Sequence, residues 1–243
     1  MSTFTEMSLP PFLAQRLLQA GITAPTPIQQ ATIQPALEGR DIMAQAKTGS
    51  GKTLAFLLPM IERALRPTIP SEGTSLSMSR SLNRRHPRFL ILAPTRELAL
   101  QIEMELRKYA PPVVTSLAVY GGTPIERHYR ALRQPPMVVV GTPGRLLDLA
   151  GSGHLHLNAV TWLVMDEADQ MLDRGFLRDI QRILSLLPKE RQTLLFSATF
   201  SSEIQQFAQS MQRNPARISV DPDISSPTTI THAYFVARSS QIE

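Results

Sequence analysis

The chain has 243 residues, 42% of them hydrophobic, which is enough to bury one substantial core and makes a single domain the natural count. It contains no cysteine, so disulfides and thiolate metal sites are excluded and a cytoplasmic protein is expected; no apolar run approaches the ~20 residues of a membrane helix, and Met1 to Glu6 has no basic and then apolar leader. The net charge of +5 favours a polyanionic partner, but five arginines between Arg66 and Arg88 face a single acid there, Glu72, so +4 of the total is local to that stretch.

Taken in chain order, apolar strands alternate with amphipathic helices. Helices are expected to begin near Pro10 and Pro27, ahead of a strand at 41–46 and a helix from Lys52. A strand at 89–93, a helix from Arg96, a strand at 113–119, a helix from Pro124, a strand at 137–140 and a helix from Pro143 follow. Strands at 161–165 and 193–196 frame a helix near Gly175, and a helix from Ser201 leads to a short strand near 217–220. Several helices carry proline in the first turn, where its missing N–H costs nothing. Val138-Val139-Val140 and Leu194-Leu195-Phe196 are continuously apolar, as strands buried on both faces must be. The expected architecture is α/β, a mostly parallel sheet with helices on both faces and right-handed crossovers.

Residues 67–87 break the alternation with Pro, Ser, Gly, Thr and Arg, and read as a basic surface insertion; a tolerated loop is preferred there over an RNA-gripping element. A boundary follows Val220, so residues 1–220 form the expected domain and 221–243 a linker, with 230–236 a strand or linker segment.

Two segments carry chemistry. Ala46-Lys47-Thr48-Gly49-Ser50-Gly51-Lys52-Thr53 lies between a strand and a helix, where glycines let backbone N–H groups curl around phosphate oxygens and the helix N-terminus favours anions. Lys52 would reach the β and γ phosphates of ATP, and Thr53 would offer its hydroxyl to Mg²⁺. The strict phosphate-loop pattern begins with glycine, and Ala46 departs from it. Asp166-Glu167-Ala168-Asp169 ends the apolar run Trp162 to Met165, where open α/β sheets hold their ligands. Asp166 could help hold the magnesium and Glu167 could polarise a water in line with the γ phosphate, which makes Lys52, Asp166 and Glu167 the catalytic candidates and Thr53 and Asp166 the metal candidates.

With these in place, further motifs fall in the order of one family: Gly21 to Gln29, Pro94 to Ala99, Gly121-Gly122, Thr142 to Arg145 and Ser197-Ala198-Thr199. The chain resembles the amino-terminal RecA-like P-loop domain of bacterial-type DEAD-box ATP-dependent RNA helicases, from Phe4 to about Val220 apart from the insertion, and Ala46 is usual in that family. The resemblance implies that Thr26 and Gln29 belong to the nucleotide site, the Gln29 amide meeting the donor and acceptor of the adenine edge. It matches Phe4 to an aromatic that stacks on adenine, and a core anchor for the first helix is an equal reading.

The resemblance further implies that Pro94, Thr95, Arg96, Glu97, Gly121, Gly122, Thr142, Pro143, Gly144 and Arg145 line an RNA path, binding single-stranded or duplex RNA through phosphates and 2′-OH groups without reading sequence. Ser197 and Thr199 would join Asp169 and couple the two functions. His128 stands where the family commonly has Gln, and reads as a solvated helix histidine. The family implies a second RecA-like domain that supplies arginines to the γ phosphate, so this chain is expected to bind nucleotide with little turnover on its own. A non-catalytic nucleotide-gated RNA clamp or scaffold is the alternative.

Overall fold

Seven short strands, each four to six residues long and mostly apolar, supply the sheet: β1 (Ile42–Gln45), β2 (Phe89–Leu92), β3 (Ser116–Val119), β4 (Val138–Gly141), β5 (Trp162–Met165), β6 (Gln192–Ser197) and β7 (Ala216–Ser219). They come from a computed structural model that describes residues 3–66 and 86–220. The insertion expected at 67–87, except His86 and Pro87, and the linker and segment expected within 221–243 lie outside the described residues.

Every pairing in the sheet is parallel, in the order β3-β4-β2-β5-β6-β1-β7. Parallel neighbours need crossovers, and helices provide them. A 3₁₀ turn at Phe4–Glu6 precedes α1 (Pro11–Gln19), α2 (Pro27–Leu37), α3 (Lys52–Leu65) and α4 (Arg96–Tyr109). Then come α5 (Ile125–Leu132), α6 (Pro143–Gly151), α7 (Ala168–Asp173), α8 (Leu177–Leu186) and α9 (Ser202–Met211).

The pleat explains why the strand sequences do not alternate. In β5, Trp162 and Val164 face one apolar cluster and Leu163 and Met165 the other; in β4, Val138 and Val140 separate from Val139 in the same way. Both faces are dry, so both sets of side chains are apolar. One cluster takes the buried faces of α1 to α4, and the second takes those of α6 to α9.

The structure departs most from the sequence reading at one strand boundary and at two short elements. The third strand starts at Ser116, not at 113, because Pro111 opens a turn closed by the Val114 N–H on the Pro111 carbonyl at 2.9 Å. The 3₁₀ turn at Phe4–Glu6 and the six-residue α7 carry no apolar periodicity long enough to announce them.

Candidate functional site

Strand order decides which loops meet. At the carboxyl edge, β5, β6 and β1 are consecutive, so the acidic run after β5, the Ser-Ala-Thr after β6 and the phosphate loop after β1 lie side by side. The Ala46 N–H donates to the Ser197 carbonyl at 3.0 Å, which ties two of these loops together. The other half of the edge, β3-β4-β2, carries the loops with Gly121-Gly122, Thr142 to Arg145 and Pro94 to Glu97.

The phosphate loop turns through Gly49 at φ +82° and Gly51 at φ +95°, and α3 starts at Lys52. Gly51 is confined by space as well as by backbone: a Cβ there would sit 2.6 Å from Gln29 Nε2 and 2.9 Å from Thr26 Oγ1. Lys52 is 6% exposed, and neither its ammonium nor the buried Ser50 and Thr26 hydroxyls have a partner among the described residues. A buried, unpaired ammonium is costly, and a site that keeps one is suited to an anion. Lys47, Thr48 and Gly49 are exposed at the mouth, Thr53 is half-buried and Ala46 is buried.

Gln29 is buried at the junction of α2 and the loop. Its Oε1 accepts the Thr26 N–H at 3.0 Å and its Nε2 donates to the Gly51 carbonyl at 3.0 Å. An amide oxygen has two lone pairs and an amide nitrogen two protons, so one acceptor and one donor position remain. Phe4 is 4% exposed and packs in the core cluster with Met7, Leu9 and Leu13, a placement consistent with an anchor for the amino-terminal segment.

Asp166 is fully buried, and burial pushes its carboxyl up to about 6 despite the opposing pull of Lys52; Glu167 and Asp169 add to the rise, and the Glu167 N–H, which donates to its Oδ1 at 3.0 Å, opposes it. A divalent cation at this carboxylate would reverse that balance. Glu167 caps α7 in the left-handed region, φ 55° and ψ 52°, a costly conformation for a residue with a Cβ. Asp169 Oδ2 accepts from the Ala198 N–H at 3.1 Å, the Thr199 N–H at 3.0 Å and the Thr199 hydroxyl at 3.2 Å, while the Asp169 N–H donates to Ser197 Oγ at 3.2 Å. Four hydrogen bonds therefore join the acidic run to the next loop. No group of three or more His, Cys, Asp or Glu that could hold a metal exists among the described residues, so a magnesium ion here would draw its remaining ligands from nucleotide and water.

On the other half, Thr95 caps α4 by accepting the Leu98 N–H at 3.1 Å, and Pro94 is buried behind it. Arg96 and Glu97 are exposed, and the Arg96 guanidinium lies over Tyr120, 4.9 Å from the ring centroid. Gly121 and Gly122 are exposed; Thr142 caps α6, Pro143 is its buried first residue and Gly144 is half-buried. Arg145 Nη1 donates to the Thr123 carbonyl at 3.0 Å and to His128 Nδ1 at 3.0 Å, and its Nε lies 3.6 Å from Asp148 Oδ2.

His128 is not solvated: it is 4% exposed and meets Tyr120 edge to face at 5.7 Å. Arg145 can only donate, so Nδ1 must accept, which assigns the neutral tautomer with the proton on Nε2. Burial lowers its pKa first and Arg145 second, opposed by a backbone hydrogen bond at Ala118. No local pattern announces this burial, because Tyr120, His128 and Arg145 stand on three separate segments; the aromatic just before the glycine pair is the available signal for Tyr120.

A sequence model of the family described as "DEAD/DEAH box helicase" matches residues 26–207. The chain is 40% identical over 237 residues to "ATP-dependent RNA helicase DeaD" of Buchnera aphidicola (Acyrthosiphon pisum symbiont, strain APS), covering 97% of this chain and 37% of the relative. It is 46% identical over 217 residues to "DEAD-box ATP-dependent RNA helicase 3A, chloroplastic" of Zea mays, covering 89% of this chain and 28% of that protein. The chain thus spans well under half the length of these curated relatives. Among solved structures, a DEAD box protein from the hyperthermophile Methanococcus jannaschii superposes with a TM-score of 0.78 at 34% identity, over 90% of this chain and 56% of that one.

Proposed function

The chain belongs to the DEAD/DEAH box helicase family, and on that premise we propose that it is the ATP-binding and RNA-binding RecA-like domain of a cytoplasmic ATP-dependent RNA helicase, working with a second RecA-like domain. The observation that carries this reading is the buried Lys52 ammonium, without a partner among the described residues and held beside the Asp166 carboxylate at the mouth of a glycine-turned loop.

In this reading the loop N–H groups cradle the phosphates and Lys52 Nζ donates to β and γ oxygens. The Thr53 hydroxyl and Asp166 would hold Mg²⁺, which would supply positive charge against the phosphate oxygens. Glu167 orients a water toward the γ phosphorus and accepts its proton. The free donor and acceptor positions of Gln29 select adenine over guanine. Asp169, through Ser197 and Thr199, links the site to movements of the loop after β6. Lys52→Ala removes a charge-assisted contact worth about 1.5–3 kcal/mol, so nucleotide affinity measured by calorimetry should fall about 10- to 150-fold. Unchanged affinity in that variant would reject the site.

The exposed Arg96, the glycine pair and the α6 N-terminus suit RNA phosphates, contacts that carry no sequence code. Here His128 braces Arg145 while neutral. A histidine lowered in the folded chain contributes stability that is full above its unfolded value of about 6.5 and is lost as the pH falls toward the lowered one. Protonation removes the acceptor for Arg145 and places two cations together, with Asp148 the nearby carboxylate and Tyr120 the facing ring. Thermal stability, followed by circular dichroism, should therefore decline as the pH falls below about 6.5, and His128→Gln, which keeps an acceptor, should lose that step. An identical pH profile in the variant would show that His128 does not set it.

A further inference from the structure

The amino ends of the same three strands that carry the nucleotide loops enclose a second cavity, about 630 Å³ in volume. With β5 and β1 only four residues long, it lies roughly 15 Å across the sheet from the phosphate loop, on the opposite edge. Arg40, Arg63, Arg191 and Arg213 line it, against two carboxylates, Asp41 and Glu190.

Asp41 is not available to neutralise the arginines as a free acceptor. It is 6% exposed, and its two oxygens accept the backbone N–H groups of Thr193 at 2.7 Å and Arg213 at 2.6 Å. Glu190 is exposed and forms no ion pair with these arginines among the described residues. The guanidinium groups are instead held by carbonyls: Arg191 Nη1 donates to Pro188 O at 2.8 Å and Arg213 Nη2 to Lys189 O at 3.2 Å. These bonds leave Arg191 Nε buried without an acceptor among the described residues.

A second donor at the same place is also unsatisfied. Trp162, which lines the cavity, is 2% exposed, and its indole N–H has no acceptor among the described residues. An indole nitrogen can only donate, and so can a guanidinium. A cavity lined by four arginines and two carboxylates, with two unpaired donors buried beneath it, suits oxygen acceptors carrying negative charge. Burial lowers the pKa of Arg191; Asp41 opposes the fall and Arg213 adds to it.

We propose that this cavity is a phosphate-binding site, distinct from the nucleotide edge, in which the guanidinium groups of Arg40, Arg63, Arg191 and Arg213 close on the oxyanion above Trp162. Its size falls in the range of small-molecule sites, so it takes a phosphate group either free, as in pyrophosphate, or within an RNA backbone. The inference is independent of the nucleotide and RNA roles assigned above.

Trp162 is the only tryptophan in the chain, so its fluorescence reports on this cavity directly. The 243-residue chain would be titrated with sodium pyrophosphate and, separately, with a short single-stranded RNA lacking terminal phosphates. The same titrations would be run on Lys52→Ala, which weakens the phosphate loop, and on Arg63→Ala/Arg213→Ala, which removes two exposed side chains from the cavity. The expected result is a saturable change with at least one of the two probes, kept within about threefold by Lys52→Ala and weakened at least tenfold by the arginine pair. A response to pyrophosphate alone identifies a free phosphate ligand; a response to RNA as well identifies the phosphodiester. No saturable response to either probe would overturn the proposal, as would a response lost in Lys52→Ala and kept by the arginine pair.

Discussion

Glu167→Gln, placed in a two-domain protein that carries this chain, is expected to lower ATP turnover about 10²- to 10⁴-fold while leaving nucleotide affinity within about threefold. The substitution keeps shape and hydrogen-bonding reach but removes the group that accepts a proton from the attacking water. The local backbone supports this assignment. Glu167 alone among the described residues at this edge holds a left-handed conformation without being glycine, and it caps a helix of only six residues. Such strain persists where the surroundings enforce it, and here β5, the Asp166 carboxyl and the bonds to Asp169 fix both neighbours. Single-turnover hydrolysis alongside calorimetric binding separates the two effects. Equal turnover in Glu167→Gln and the parent would remove Glu167 from the chemistry.

The 243 residues taken alone are expected to bind Mg·ATP yet turn it over about 10³- to 10⁵-fold more slowly than a protein in which a second RecA-like domain is joined to them. The phosphate loop brings two lysines, the exposed Lys47 and the buried Lys52, and the arginines of the β3-β4-β2 half, Arg96 and Arg145, are engaged with Tyr120, Thr123 and His128. Among the described residues the side-chain charges acting on Asp166 are those of Lys52, Glu167 and Asp169, with no guanidinium among them, so charge building on the γ phosphate is expected to draw one from the second domain. Steady-state hydrolysis with and without single-stranded RNA reads this directly. Vigorous RNA-stimulated turnover by the 243 residues would mean that one domain completes the site.

Much of this site was legible before any coordinates, because its parts are short runs at strand ends and strand ends were marked by apolar stretches such as Val138-Val139-Val140. Two-sided burial makes such strands easy to see, and Lys52, Asp166 and Asp169 fall at the termini where ligands collect. What escaped was decided by tertiary contact. Phe4 has two equal readings in the sequence, and its packing in one cluster with Met7 and Leu13 is a tertiary fact that no local pattern announces. His128 reads as a solvated helix residue from its neighbours on α5, yet an arginine 17 positions later buries it and fixes its tautomer. The cavity around Trp162 draws residues from five separate stretches of chain, between Gly39 and Asn214, and no spacing rule gathers them.

The division of one sheet edge into a nucleotide half and an RNA half is the centre of this account, and amide chemical-shift mapping of the 243-residue chain tests it most directly. Mg·ADP should perturb the residues following β1, β5 and β6, chiefly Gly49 to Thr53, Asp166 to Asp169 and Ser197 to Thr199. Single-stranded RNA should perturb those following β2, β3 and β4, chiefly Thr95 to Glu97, Gly121 to Thr123 and Thr142 to Arg145. Perturbation of the same residues by both ligands, or of neither half by its own, would contradict the account.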